Sequence, residues 1–223
     1  MKKITLAKPS PRIKRFVQSV VFLALIVVGF TAFSATRSNN RVVNVISSNI
    51  LGGSNAGGFA SEEPPADPLD QYSVPADMPR LISIPSIDVK ARIKTVGLTN
   101  EGAIDVPSNI FDVGWYNGSA RPGSSGAAFV DGHVSGPTQN GVFYDLKKLK
   151  PGDKIMIEMG DKRVISYTVT STIRTSKEEV DMASALSPVI AGKNGLNLIT
   201  CAGKYNPEQQ SFQDRVIVYT QQD

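Results

Sequence analysis

The stretch Arg163-Val-Ile-Ser-Tyr-Thr-Val-Thr-Ser-Thr172 reads as a β-strand. Ile165, Tyr167 and Val169 alternate with Val164, Ser166, Thr168 and Thr170, and β-branched residues dominate. Successive side chains of a strand point to opposite faces, so this two-residue period marks a half-buried strand. Similar short runs recur on both sides of it, at Leu81–Ile84, Ala91–Val96, Ala103–Asp105, Ala127–Val130, Lys154–Met159, Leu196–Thr200 and Arg215–Thr220. Turn residues separate them, as in Asn100-Glu-Gly102, Pro122-Gly-Ser-Ser-Gly126, Pro151-Gly-Asp153 and Gly160-Asp161. Helical patterning is scarce. Ser176–Ala191 can hold a short helix, with Ser176 as N-cap and Glu178 and Glu179 in the first turn, and Asn140–Leu149 a further helical turn. About eight short strands between residues 79 and 223 predict an all-β domain, either a closed or nearly closed barrel or a sandwich.

Composition narrows the chemistry. The 223 residues include one cysteine and one histidine. An intrachain disulfide is therefore excluded, and no Cys/His cluster for structural zinc can be assembled. The net charge of +4 comes from the first 15 residues, which carry six basic side chains and no acid. Residues 80–223 carry 16 basic and 15 acidic side chains, so the folded part lacks the basic face that a nucleic-acid domain needs. Glu178, Glu179 and Asp181 cluster without the glycine-bearing loop of an EF-type calcium site and read as a solvated helix start.

The basic tail (residues 1–15) leads into an uncharged segment, Phe16 to Phe33 within residues 16–35, long enough for a transmembrane helix. Cations on its N-terminal side place that end in the cytoplasm and everything after it outside. Small residues at Ala32 and Ser34 admit the other reading, a cleaved signal peptide. Residues 36–78 are rich in Ser, Asn, Gly and Pro and read as a flexible extracellular tether.

Three residues stand out for chemistry. Cys201 follows the apolar run Leu196–Thr200, His133 begins a glycine-flanked loop after Ala127–Val130, and Arg215 opens the apolar terminal strand. Each alone has a plain structural reading: a core cysteine, a loop histidine, a solvated strand-end arginine. Together they supply a nucleophile, an acid/base and an oxyanion donor. Trp115 and Tyr116 either line a groove or fill the interior. Ser135, Thr138 and the loop after His133 either shape a pocket entrance or lie on the surface.

In these residues the chain resembles the sortases, membrane-anchored cysteine transpeptidases. The family's Thr-Leu-x-Thr-Cys motif matches Asn197-Leu-Ile-Thr-Cys201, departing at Asn197, where packing is expected to change more than chemistry. Its Gly-His segment matches Asp131-Gly-His-Val134, and its strand-leading arginine matches Arg215. Leu81-Ile-Ser-Ile-Pro-Ser-Ile87, Asp112-Val-Gly-Trp-Tyr116, Arg121-Pro-Gly-Ser-Ser-Gly126, Gly141-Val-Phe143 and Leu149-Lys-Pro-Gly-Asp153 are similar to the class F and class E branches.

The resemblance implies an eight-stranded sortase-type β-barrel over residues 79–223, with one or two short helices and an N-terminal transmembrane helix before it. It implies Cys201 as nucleophile, His133 as acid/base and Arg215 as hydrogen-bond donor. Thr200 either supports the oxyanion site or orients its strand. No cofactor and no metal are implied. The expected substrates are surface proteins or pilins bearing an LPxTG-like sorting signal, cut between Thr and Gly through a thioester. The expected acceptor is an amine of a cell-wall precursor or pilin. A non-catalytic or hydrolytic sortase-like surface module is the alternative. An L,D-transpeptidase is disfavoured because no histidine precedes Cys201 closely, and a papain-like enzyme because its cysteine precedes its histidine.

Overall fold

The computed structural model describes residues 60–223, within one compact unit, Asn55–Asp223. The basic tail, the apolar segment at 16–35 and the first part of the tether lie outside the described residues. Among those described, no helix is long and apolar enough to cross a membrane.

Eight strands form a closed barrel: β1 (Pro79–Ile84), β2 (Val89–Val96), β3 (Val113–Tyr116), β4 (Gly126–Gly132), β5 (Lys154–Met159), β6 (Val164–Ser176), β7 (Asn194–Asn206) and β8 (Ser211–Gln222). Their order around the ring is β1-β2-β3-β4-β7-β8-β6-β5, closed by the β5–β1 pair. β2–β3 and β4–β7 are parallel, and the other pairs are antiparallel. Closure leaves no open sheet edge, which decides between barrel and sandwich.

The alternation read in β6 is realised. Ile165, Tyr167 and Val169 point into the core, while Val164 is 56 % exposed. The core is filled by such inward residues, among them Ile82, Ile93, Val130, Ile157, Leu198 and Val218. Tyr167 is fully buried, and its hydroxyl oxygen accepts from Gly123 N–H at 2.8 Å. Burial pushes its pKa up to about 12, so it stays a neutral phenol.

The structure departs from the sequence reading in three places. Ala103–Asp105 is not a strand. It is one arm of a small loop turning at Gly102, held to the other arm by the single bridge Leu98↔Ile104. Three residues with no second neighbour cannot join the sheet. The third strand is instead Val113–Tyr116, too short to show an alternating period. Helix α1 (Met182–Ala185) is capped by Asp181, whose carboxylate accepts from Ala183 N and Ser184 N. Ser176 makes no side-chain cap bond and only ends β6 before a 3₁₀ turn.

Residues 60–78, assigned by composition to the tether, lie against the barrel. Buried Arg80 holds them: its Nη2 donates to Leu69 O (2.7 Å) and Asp70 O (3.0 Å), and its Nε donates to Tyr72 O. Its Nη1 pairs with Glu158 at 2.6 Å. One guanidinium fork thus satisfies three backbone carbonyls at once.

Candidate active site

The long β7–β8 hairpin carries two of the three singled-out residues. Its antiparallel register sets Cys201 directly across from Arg215. Residues in such a pair share one face of the sheet. Asp214 next to Arg215 faces the other way and pairs with Arg174, its carboxylate accepting from Arg174 Nε at 2.8 Å. Arg215 Nη1 donates to Phe212 O (3.0 Å) and Asp214 O (2.9 Å), and Nη2 donates to Ser211 Oγ (3.3 Å). These bonds fold the guanidinium back on its own strand and hold it beside the cysteine.

His133 is the residue after β4. The parallel β4–β7 register runs to Asp131↔Ile199, so β4 ends, and His133 begins, beside the point where β7 carries on to Cys201. Thr200 Oγ1 donates to Gly132 O at 2.7 Å. Thr200 therefore ties the strand that bears Cys201 to the end of β4. The imidazole Nε2 of His133 lies 2.7 Å from Pro107 O, and Phe143 N–H donates to His133 O at 3.0 Å. A carbonyl can only accept, so Nε2 carries a proton in this arrangement. Gly141 sits so close that a Cβ there would be 2.3 Å from His133 O.

Three cavities meet at Cys201. The first, about 570 Å³, is bounded by Leu98, Ile104, Val106, Met182 and Leu186, with His133 and Arg215 beside the thiol. The second, about 690 Å³, runs past His133, Ser135, Pro137, Tyr205 and Phe212. A third, about 200 Å³, lies behind Ser135 and Ala202. Leu98 is 56 % exposed and Val106 51 %, although both are apolar. A partly open apolar wall beside a thiol can seat an apolar side chain.

Burial pushes the Cys201 thiol pKa up, the Arg215 guanidinium pulls it down, and Asp131 pushes it up. The net direction is upward, so the thiol form predominates at neutral pH. Asp131 lines the first cleft at 8 % exposure, and its Oδ1 has no hydrogen-bond partner. Burial, with Asp105 nearby, raises its carboxyl pKa to about 8. It is therefore largely a neutral acid at pH 7.

Of the other sequence candidates, Ser135 borders the second and third cavities at Cys201, and Tyr116 lines the first cleft. Trp115 does not line it. Trp115 is 3 % exposed in the core, its indole N–H donating to Ala120 O at 3.0 Å. Thr138 bonds Glu62. Asn197 is fully buried, and its amide donates to Ala185 O (2.8 Å) and Ser187 O (2.9 Å), hanging α1 on β7. Asp131, Pro107 and the 98–106 arm were not anticipated. The one available signal was an acid ending the apolar run Ala127–Asp131. Among the described residues no group of three or more His, Cys, Asp or Glu could hold a metal ion.

No curated protein matches the chain. Among solved structures it is similar to a lid mutant of sortase A from Corynebacterium diphtheriae (24 % identity, TM-score 0.49, covering 64 % of this chain and 68 % of that one). It is also similar to a lid mutant of sortase C1 from Streptococcus agalactiae (22 %, 0.48, 68 % and 72 %) and to a sortase D5 transpeptidase from Clostridium perfringens (24 %, 0.46, 64 % and 77 %). The Sortase domain model matches residues 82–223, more than half of the chain, and the chain belongs to the sortase family.

Proposed function

We propose that this chain is a cysteine transpeptidase that cleaves an LPxTG-like sorting signal between Thr and Gly and passes the acyl group to an amine. The carrying observation is the β7–β8 register, which sets Cys201 opposite Arg215 on a cleft that His133 also lines. The apolar wall of that cleft suits the Leu and Pro of such a signal.

In this reading the Cys201 thiolate attacks the threonine carbonyl carbon. A C–S bond forms, and the carbonyl oxygen takes the negative charge beside the Arg215 N–H groups. Protonated His133 gives its proton to the glycine nitrogen as the C–N bond breaks, leaving a thioester and a free glycine amine. An incoming amine, from a cell-wall precursor or a pilin, attacks the thioester. His133 takes its proton, and Cys201 departs as thiolate. Because burial raises the thiol pKa, only a minor population at neutral pH holds Cys201 as thiolate. No cofactor enters these steps. The motif resemblance to classes E and F, the N-terminal membrane anchor, the cytoplasmic N-terminus and an extracellular catalytic domain belong to the same proposal.

The test incubates the chain with a panel of sorting-signal peptides and amines and reads the products by mass spectrometry. A thioester on Cys201, absent in Cys201→Ala and discharged by an amine, supports the reading. A thiol that forms no adduct with any peptide and resists alkylation overturns it. Hydrolysis with no amine transfer under any acceptor identifies a hydrolase.

A further inference from the structure

Two consecutive residues of the segment before the barrel, Ser61 and Glu62, grip the two loops that hold His133. Ser61 bridges to Asn109: its N–H donates to Ser108 O at 2.8 Å, and Ile110 N–H donates to Ser61 O at 3.0 Å. Pro107, whose carbonyl holds the His133 ring, is one residue before Ser108. The Glu62 carboxylate turns to the other side. Its Oε1 accepts from Thr138 N–H (2.7 Å) and Gln139 N–H (2.8 Å), and its Oε2 accepts from Thr138 O–H (2.6 Å). Thr138 and Gln139 form the tip of the loop that begins at His133 and returns at Gly141, closed by Gly136 N–H to Gln139 O and Gly141 N–H to Val134 O.

The fit at this tip is close. A Cβ on Gly136 would stand 2.4 Å from Glu62 Oε1, so only glycine lets the carboxylate seat there. The three hydrogen bonds hold the carboxyl pKa below its ordinary value, and the acid is ionised at neutral pH. Charge-assisted bonds to two backbone N–H groups and a hydroxyl are the strong kind. Ala60, one step further back, is itself part of the wall of the second cleft, beside His133 and Cys201.

We propose that Glu62 is a positioning residue for His133. The carboxylate fixes the 134–140 loop while Ser61 fixes the Pro107 loop, and the histidine is held between them. The geometry of the acid/base is then set by the chain that precedes the catalytic barrel, and a barrel cut at Pro79 lacks this support. The proposal rests on the transpeptidase reading for its kinetic consequence but not for its structural one.

The experiment compares wild type, Glu62→Ala and Glu62→Gln in the 223-residue chain. His133 is the only histidine, so its ring resonances are unambiguous by NMR. The wild type is expected to show one set of ring signals with an exchange-protected Nε2 proton. Glu62→Ala is expected to lose that protection and to lower kcat by roughly ten- to a hundredfold, the cost of a misplaced catalytic group. KM for the sorting peptide should stay within about twofold, because Glu62 does not line the apolar cleft. Glu62→Gln keeps the Oε1 acceptor for both backbone N–H groups and should recover most of the activity and the ring signal. An unchanged ring signal in Glu62→Ala overturns the proposal. So does a loss of kcat that Glu62→Gln fails to recover. If no peptide reacts with the wild type while Glu62→Ala still frees the ring, the clamp stands and the transpeptidase reading falls.

Discussion

Cys201 and Arg215 are direct cross-strand partners in the β7–β8 hairpin. The guanidinium lowers the thiol pKa against the upward push of burial. Arg215→Ala should raise that pKa further and slow iodoacetamide alkylation of Cys201 near pH 8. It should also cut acyl-enzyme formation by roughly 10²–10³-fold, the usual loss for an oxyanion donor. Arg215→Lys keeps a cation without the planar fork. It should restore alkylation more than acylation, and equal recovery of both would show that only the charge matters.

Asp131 gives a pH signature. Its ordinary pKa is 3.8 and its folded value is about 8, so the native state holds a proton that the unfolded chain releases. Stability contributed by this group is full below about pH 4 and falls as pH rises towards about 8. Asp131→Asn cannot ionise and should flatten that fall. The gain over wild type near pH 8 should be on the order of a few kcal/mol, read from urea unfolding at several pH values. The same variant removes an anion from beside Cys201, so the thiol should titrate lower. A wild type with no loss of stability between pH 5 and 8 would contradict the assignment.

Gly141→Ala should damage the histidine loop without touching the cysteine. The new Cβ would press on the backbone carbonyl of His133 and cannot be relieved by a rotamer change. The expected result is a large loss of transpeptidation, with Cys201 alkylation within about threefold of wild type, since the thiol's own neighbours are intact. Parallel loss of both would mean that the barrel itself had been disturbed.

Asn197→Ala removes the amide that holds Ala185 O and Ser187 O and leaves the buried Ala185 carbonyl and the Ser187 carbonyl short of a donor. The cost should be about 1–3 kcal/mol. Hydrogen exchange should accelerate first around α1 and the adjoining Ser187. Because Met182 and Leu186 form part of the first cleft, KM for the peptide should rise more than kcat falls. Asn197→Thr, the residue of the family pattern, has a hydroxyl that reaches one carbonyl at most and should fall between the two.

Much of this was legible in the sequence because the informative residues are few. One cysteine and one histidine leave a single way to build a Cys-His site, and β6 shows its alternation openly. What stayed hidden depends on distant partners. The Ser-, Pro- and Glu-rich residues 60–78 look like linker by composition, and they dock through backbone groups met by Arg80 and Ser108 and through the Glu62 carboxylate on Thr138. Ala103–Asp105 reads as a strand because its place in a loop beside a cleft leaves no mark on local pattern. Asp131 looked like a loop acid, since the strand continues one residue further than its apolar run. The sequence leaves Trp115 between groove and interior for the same reason: which face of a four-residue strand is buried is decided by its neighbours.

The position of β8 in the ring also sets an order of assembly. β8 is the last strand in the chain, yet it sits between β7 and β6. A polypeptide emerging from its N-terminus can lay down seven strands and pair β4 with β7, but the cylinder stays slit until the final strand is inserted. Until then Cys201 has no Arg215 across from it and β7 keeps a bare edge able to pair with another chain. The nascent protein thus emerges with Cys201 and Arg215 apart, and the insertion that seals the wall is the same event that brings the two side by side.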